Sequence, residues 1–129
     1  MPISFVQDDA RRTVHTTVTG AVQVADIIGH FDAACRGQTL GYTELIDARG
    51  ATKPYLTAAD IWRAATLVRN TGIQHRFGRR AVVVDTDVTY GLTRMFATLL
   101  ADCFPLEVFR DRNAAEDWLA GRFPATGRD

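Results

Sequence analysis

Lysine and serine are almost missing from this 129-residue chain; Lys53 and Ser4 are the only ones. Net charge is missing too. Fifteen Lys and Arg residues balance fifteen Asp and Glu residues, which argues against a dedicated binder of nucleic acid or of an anionic membrane. No apolar run approaches the ~20 residues of a membrane-spanning helix. The N-terminus has no basic segment followed by an apolar one, so a cytoplasmic protein without a signal peptide is expected. The two cysteines, Cys35 and Cys103, lie far apart with no CxxC, and are expected to be core thiols in a reducing cytosol. His15, His30 and His75 have no Cys, Asp or Glu at metal-ligand spacing, so neither a metal nor a cofactor is expected. His30 follows Asp26 by four residues and is expected to pair with it on a helix surface. Nucleophile elbow, phosphate loop and dinucleotide fingerprint are all absent.

What is present is a chain that is 47% apolar, enough for a core and too much for disorder. One domain over 1–129 is expected, with a core at 3–121 and a tail at 122–129. Ile3 to Gln7 reads as a first strand, and Asp8 to Arg11 as a turn. Arg12 to Thr19 is an antiparallel second strand with Val14, Thr16 and Val18 on one face. Thr13, His15 and Thr17 lie on the other, so that face is wet or only partly covered. Val24, Ile27, Ile28, Phe31, Ala34 and Cys35 mark a helical face closing at Gly37. Glu44 to Ala48 is a third strand and Gly50 to Leu56 a loop. Thr57 and Asp60 then resemble a capping box for a helix that buries Ile61, Ala65 and Val68 and ends near Asn70 to Gly72.

Ala81 to Val84 is a short, β-branched run suited to the middle of a parallel sheet. Asp87 or Thr89 is expected to cap the next helix, whose apolar face is Leu92, Met95, Phe96, Leu99 and Cys103. Leu106 to Phe109 is a fifth strand, and Asp111 caps a final helix bearing Ala115, Trp118 and Leu119, stopped by Gly121. The order is ββαβαβαβα. Strands two to five should be parallel with right-handed crossovers, the first antiparallel at or near an edge, and Ile46, Val83 and Phe96 in the core. All four turns from strand to helix then share one rim at the carboxyl ends of the strands, where open α/β sheets bind ligands.

Leu45-Ile46-Asp47 with Ala48-Arg49, Arg80 to Val84, Tyr90 to Met95, Val108 to Asp111, and Ala115 with Trp118-Leu119 carry a family resemblance. Together they resemble the SpoIIAA-like group, relatives of the STAS domain of sulphate transporters and anti-sigma-factor antagonists. The chain is similar to bacterial single-domain STAS/Sec14-like proteins over residues 3 to 120. The resemblance implies an α/β (βα) superhelix, a five-stranded mostly parallel sheet with an antiparallel first strand, and no established enzyme activity. Anti-sigma antagonists carry a phosphorylatable Ser or Thr in an Asp-Ser-Ser/Thr-Gly-like motif where their second helix begins. Here that place reads Tyr55-Leu56-Thr57-Ala58, and the nearest hydroxyl, Thr57, is expected to be an N-cap.

The rim should gather Asp47, Arg49, Asp85, Asp87, Tyr90, Arg94, Arg110 and Asp111. Two readings stand. Arg49 and Arg94, beside the third helix's N-terminus, hold a carboxylate or phosphate; or the Asp and Arg side chains satisfy one another and order the loops. Pro54, Tyr55, Leu56 and Trp62 form an apolar lip that admits a lipid-like or aromatic ligand or a partner, or else folds over the domain's own core. The function expected is a non-enzymatic binding or regulatory module that recognises a protein partner or small ligand at this rim. The alternatives are a carrier of a small apolar or lipid-like ligand, and a regulator of the anti-sigma-antagonist kind switched by phosphorylation of Thr57. A homodimer through a sheet edge or helix face, leaving the rim free, is also expected, because Ile3-Ser4-Phe5-Val6 lacks the charges that blunt an edge.

Overall fold

The computed structural model describes residues 2–70 and 77–122. The expected tail, His75 and the turn beyond Asn70 lie wholly or almost wholly outside them. Strands β1 (Ile3–Asp8) and β2 (Thr13–Gly20) form an antiparallel hairpin. Helix α1 (Val24–Arg36), β3 (Thr43–Ala51), α2 (Ala58–Asn70), β4 (Arg80–Val83), α3 (Asp87–Leu99), β5 (Leu106–Phe109) and α4 (Arg112–Leu119) follow. The sheet order is β1-β2-β3-β4-β5, with every pairing after the hairpin parallel.

That order explains where the helices go. Each parallel crossover advances one strand in the same direction, and crossovers of one hand then place α1, α2 and α3 on the same face. Their core joins Phe31, Ala65, Val68 and Leu100 to Val82, Val84, Leu106 and Val108 of the sheet. Helix α4 follows the last strand and covers the opposite face, where Ala115 and Trp118 meet Leu45, Ala81 and Val83. Both faces of β4 are thus covered, and all four of its residues are buried. Under β2 the α4 face is only partly covered: Val14, Thr16 and Val18 are buried, while Thr13 and His15 are half-buried and Thr17 exposed.

Several local features differ from expectation. Strand β3 runs on through Asp47, Arg49 and Gly50 to Ala51, because β2 shifts register between Thr17 and Thr19 and pairs with it again at Gly50 and Ala51. Thr86, not Asp87 or Thr89, caps α3: its hydroxyl accepts the Thr89 N–H at 3.1 Å. The α3 helix ends at Leu99, so Cys103 lies in the following turn, where Leu100 and Phe104 are buried. Cys35 is exposed and so is not a core thiol, whereas Cys103 is half-buried against the core. Asp111 caps α4 as expected, accepting from Asn113 and Ala114 N–H.

His30 does not pair with Asp26, whose carboxylate accepts the Gln23 N–H at 2.8 Å and closes the first turn of α1. Instead His30 Nε2 lies 2.6 Å from Oε2 of Glu44, which also accepts from the Thr16 hydroxyl at 2.5 Å. An ionised carboxylate only accepts, so Nε2 carries the hydrogen. Arg80 completes this cluster at the amino end of the sheet. Its Nε is 3.0 Å from Glu44 Oε1, off the N–H direction, so that contact is an ion pair rather than an aligned hydrogen bond. Its Nη1 donates to Leu40 and Gly78 carbonyls, and its guanidinium lies over the Phe77 ring. Burial pushes the Glu44 carboxyl up, but the His30 hydrogen bond, the Arg80 charge and the Thr16 hydroxyl together hold it below its ordinary value.

Candidate functional site

At the other end of the sheet the helices and the sheet do not close on one another. A partly open cavity of about 170 Å³ remains beneath the carboxyl rim, on the face covered by α1 to α3. Its floor is Ile46 and Ala48 of β3 with Val82 and Val84 in and after β4. Its walls include Ile27 and Phe31 of α1 and Leu92 and Phe96 of α3, and the segment Thr52, Pro54, Tyr55 and Leu56 borders it from the β3–α2 loop. The alternation of β3 aims Ile46 and Ala48 at this space, and the short Ala48 side chain leaves it unfilled. Ile46 and Phe96, expected in the core, pack against it half-buried, and both line the cavity. Val83 faces α4 and is fully buried.

The lining is chemically quiet. Among the described residues it holds no Asp, Glu, His, Cys, Lys or Arg side chain. The Thr89 hydroxyl is occupied by the Thr86 carbonyl at 3.1 Å and the Thr86 hydroxyl at 2.7 Å. A largely apolar space of this size takes a ligand about as large as one aromatic ring.

The charged rim residues fall into separate groups. Arg49 grips Asp47 in a two-pronged pair, Nε to Oδ1 at 2.9 Å and Nη2 to Oδ2 at 2.8 Å. That pair holds the Asp47 carboxyl down at about 2. Asp47 alternates with Ile46 and Ala48, so the pair belongs to the α4 side of the sheet rather than to the cavity. Arg110 donates to Asp87 at 2.7 Å and lies over the Tyr90 ring, 4.7 Å from its centre. Asp85 is exposed, and its charge acts on Arg49. Arg94 is exposed on α3, with no ion-pair partner among the described residues. Of the lip residues, Tyr55 and Leu56 border the cavity, whereas Trp62 is 58% exposed on α2 and outside the lining. Thr57 is engaged as the cap of α2: Asp60 N–H donates to its hydroxyl at 3.1 Å, and its own N–H donates to the Asp60 carboxylate at 2.9 Å. Among the described residues no cluster of His, Cys, Asp and Glu could hold a metal, and no helix is long and apolar enough to cross a membrane.

No protein-family model matches the chain, and no curated protein matches it. A solved structure does. It is an uncharacterised protein of the DUF3478 family from Shewanella loihica PV-4, described as having a SpoIIAA-like fold. It aligns at a TM-score of 0.56 and 18% identity, over 91% of this chain and 91% of that one. The fold is SpoIIAA-like. Strand order, the antiparallel first strand and the alternation of strand and helix all agree with that architecture. Within this SpoIIAA-like sheet the cavity occupies the carboxyl ends of the strands, the region in which α/β folds place their ligands.

Proposed function

We propose that this SpoIIAA-like chain is a non-enzymatic binding module that shelters a small apolar ligand in the cavity beneath its carboxyl rim. The observation that carries the proposal is the cavity itself: about 170 Å³, bordered by β3, β4, α1 and α3, with no carboxylate, imidazole, thiol or cation among the described residues of its wall. An enzyme needs groups that move protons or stabilise charge at the reacting atoms, and this wall offers none apart from Tyr55 at the mouth. Apolar contact and exclusion of water are what it supplies.

A second reading rests on Arg94. It is exposed and free of ion pairs among the described residues, on the helix whose Leu92 and Thr93 line the cavity. In this reading the rim around Arg49, Asp87, Tyr90 and Arg94 recognises a polar end of the ligand or a protein partner. We further infer a homodimer that leaves this rim free.

Native mass spectrometry of freshly purified protein tests the first reading. A retained small apolar mass, lost when Ala48→Phe fills the cavity floor, supports it. Ligand-free protein that also takes up no added toluene contradicts it. Retention of an anionic mass that Arg94→Gln abolishes favours the second reading.

A further inference from the structure

The hairpin leaves β1 as an edge, and the direction of its backbone groups can be worked out. In an antiparallel pair, opposite residues alternate between those that exchange hydrogen bonds and those that do not. Thr19 N–H donates to the Pro2 carbonyl at 2.8 Å, so Pro2 and Thr19 stand at a hydrogen-bonded position. The next pairs in register are Ile3–Val18, Ser4–Thr17, Phe5–Thr16, Val6–His15 and Gln7–Val14. Ser4 and Val6 therefore bond inward to β2. The N–H and C=O groups of Ile3, Phe5 and Gln7 point outward, into the open edge.

These three outward residues are symmetric about Phe5. An antiparallel copy of the same strand, centred there, sets Phe5 opposite Phe5 and Ile3 opposite Gln7, each pair exchanging both its N–H and its C=O. The side chains agree with the backbone. Ile3, Phe5 and Gln7 lie opposite Val18, Thr16 and Val14 and so share the helix-bearing face. A two-fold axis normal to the sheet keeps that face common to both copies. Phe5, 42% exposed and packed T-shaped with the His30 ring, would then meet its own counterpart. Val6, 73% exposed on the other face, would lie across from the second copy's Ser4.

Monomers usually blunt such an edge with a charge, a proline or a bulge. From Ile3 to Gln7 this strand has no charge and no proline, and its register with β2 is unbroken. The chain's zero net charge adds no long-range repulsion between copies.

We propose that a second copy of this chain pairs with β1 in this register, extending the sheet continuously across the two-fold axis. The proposal rests on the homodimer reading above and adds its surface and alignment. It also brings the second copy's Gln7 beside Ile3, which lines the cavity, so each copy places a polar amide next to the other's site.

The test uses the full chain with Cys35→Ser and Cys103→Ser, to which Phe5→Cys or Val6→Cys is added. Directly opposed residues in a hydrogen-bonded antiparallel pair have Cα atoms about 5.5 Å apart, within disulfide reach. Mild oxidation should link the Phe5→Cys chains and leave the Val6→Cys chains unlinked. In sedimentation at micromolar concentration the wild-type chain should be a dimer and Phe5→Pro a monomer with unchanged far-UV circular dichroism, because the Phe5 N–H takes no part in the β1–β2 ladder. A wild-type monomer overturns both this pairing and the homodimer reading. A wild-type dimer with no Phe5→Cys link, or one that survives Phe5→Pro, overturns the edge pairing and leaves the homodimer reading standing. A wild-type monomer that captures a β-strand peptide at this edge likewise rejects the second copy as its occupant.

Discussion

Glu44→Gln removes one charge from the buried cluster while keeping its volume. Glu44 and Arg80 side chains are 3% and 2% exposed, so water cannot replace what is lost. Breaking a buried ion pair on one side costs ~3–5 kcal/mol, because the remaining charge has no counter-ion. Arg80 keeps its bonds to the Leu40 and Gly78 carbonyls, and the Phe77 and Phe104 rings stay 4.9 and 5.8 Å from its guanidinium. Those dipoles and ring faces soften the loss, which places the expected cost near the lower end, about 3 kcal/mol. With an unfolding entropy of ~2.1 cal/mol/K per residue over this chain, that lowers Tm by about 11 °C.

Urea and thermal unfolding at pH 7, followed by circular dichroism, give both numbers. The pH limb gives a third. The folded carboxyl titrates below its ordinary 4.5, so its contribution is present above that pH and fades as the solution is acidified through the lower folded value. Glu44→Gln should lose this part of the acid sensitivity. Glu44→Met with Arg80→Met, which removes both charges, should cost less than the two single losses added, although the Leu40 and Gly78 carbonyls lose their donor. A loss under 1 kcal/mol for Glu44→Gln, or a double variant as unstable as the two single losses added, would show that the two buried charges do not stabilise one another.

Phe96→Ala should cost less than the ~3–5 kcal/mol of a fully packed phenylalanine, since one side of the ring already faces the cavity; urea unfolding checks it, and a loss within or above that range means the space is closed. Gly78→Ala should destabilise by about 1–3 kcal/mol in the same assay, because an added Cβ would sit 2.3 Å from the Tyr42 carbonyl oxygen and 2.6 Å from that of Gly41. Asp47, held at about 2 against an ordinary 3.8, contributes stability that is full above the higher value and lost as pH falls toward the lower. With Arg49 43% exposed that contribution is about 1 kcal/mol or less, so Asp47→Asn should cost up to that amount at pH 7 and flatten the stability–pH curve below pH 4.

Element order, the parallel sheet and the antiparallel first strand were legible because strand and helix periodicities alternate cleanly, with glycines and caps between them. Asp111 could be read as a cap because it stands alone before its helix. Thr86, Asp87 and Thr89 are competing oxygens within one turn, and only the backbone decides that Thr86 takes the role. The extension of β3 through Arg49 depends on a register shift in β2, which periodicity within β3 does not record. The Glu44–Arg80 pair left a signal that could have been used. Each residue stands two before an apolar residue of its strand, Ile46 and Val82, and so on the same inward face, with opposite charges in adjacent strands. The cavity left less trace. Tyr55 and Leu56 could be placed near it from the loop, but its volume is a gap among elements that do not touch, set by short side chains such as Ala48.

The measurement that bears most directly on the proposed binding function is calorimetric titration of toluene into the wild-type chain and into Ala48→Phe. One site per chain is expected in the wild type, with a negative heat-capacity change from apolar burial. No binding is expected to an Ala48→Phe variant whose circular dichroism and Tm show an intact fold. No binding to the wild type, or equal binding to both chains, would contradict the proposed binding function.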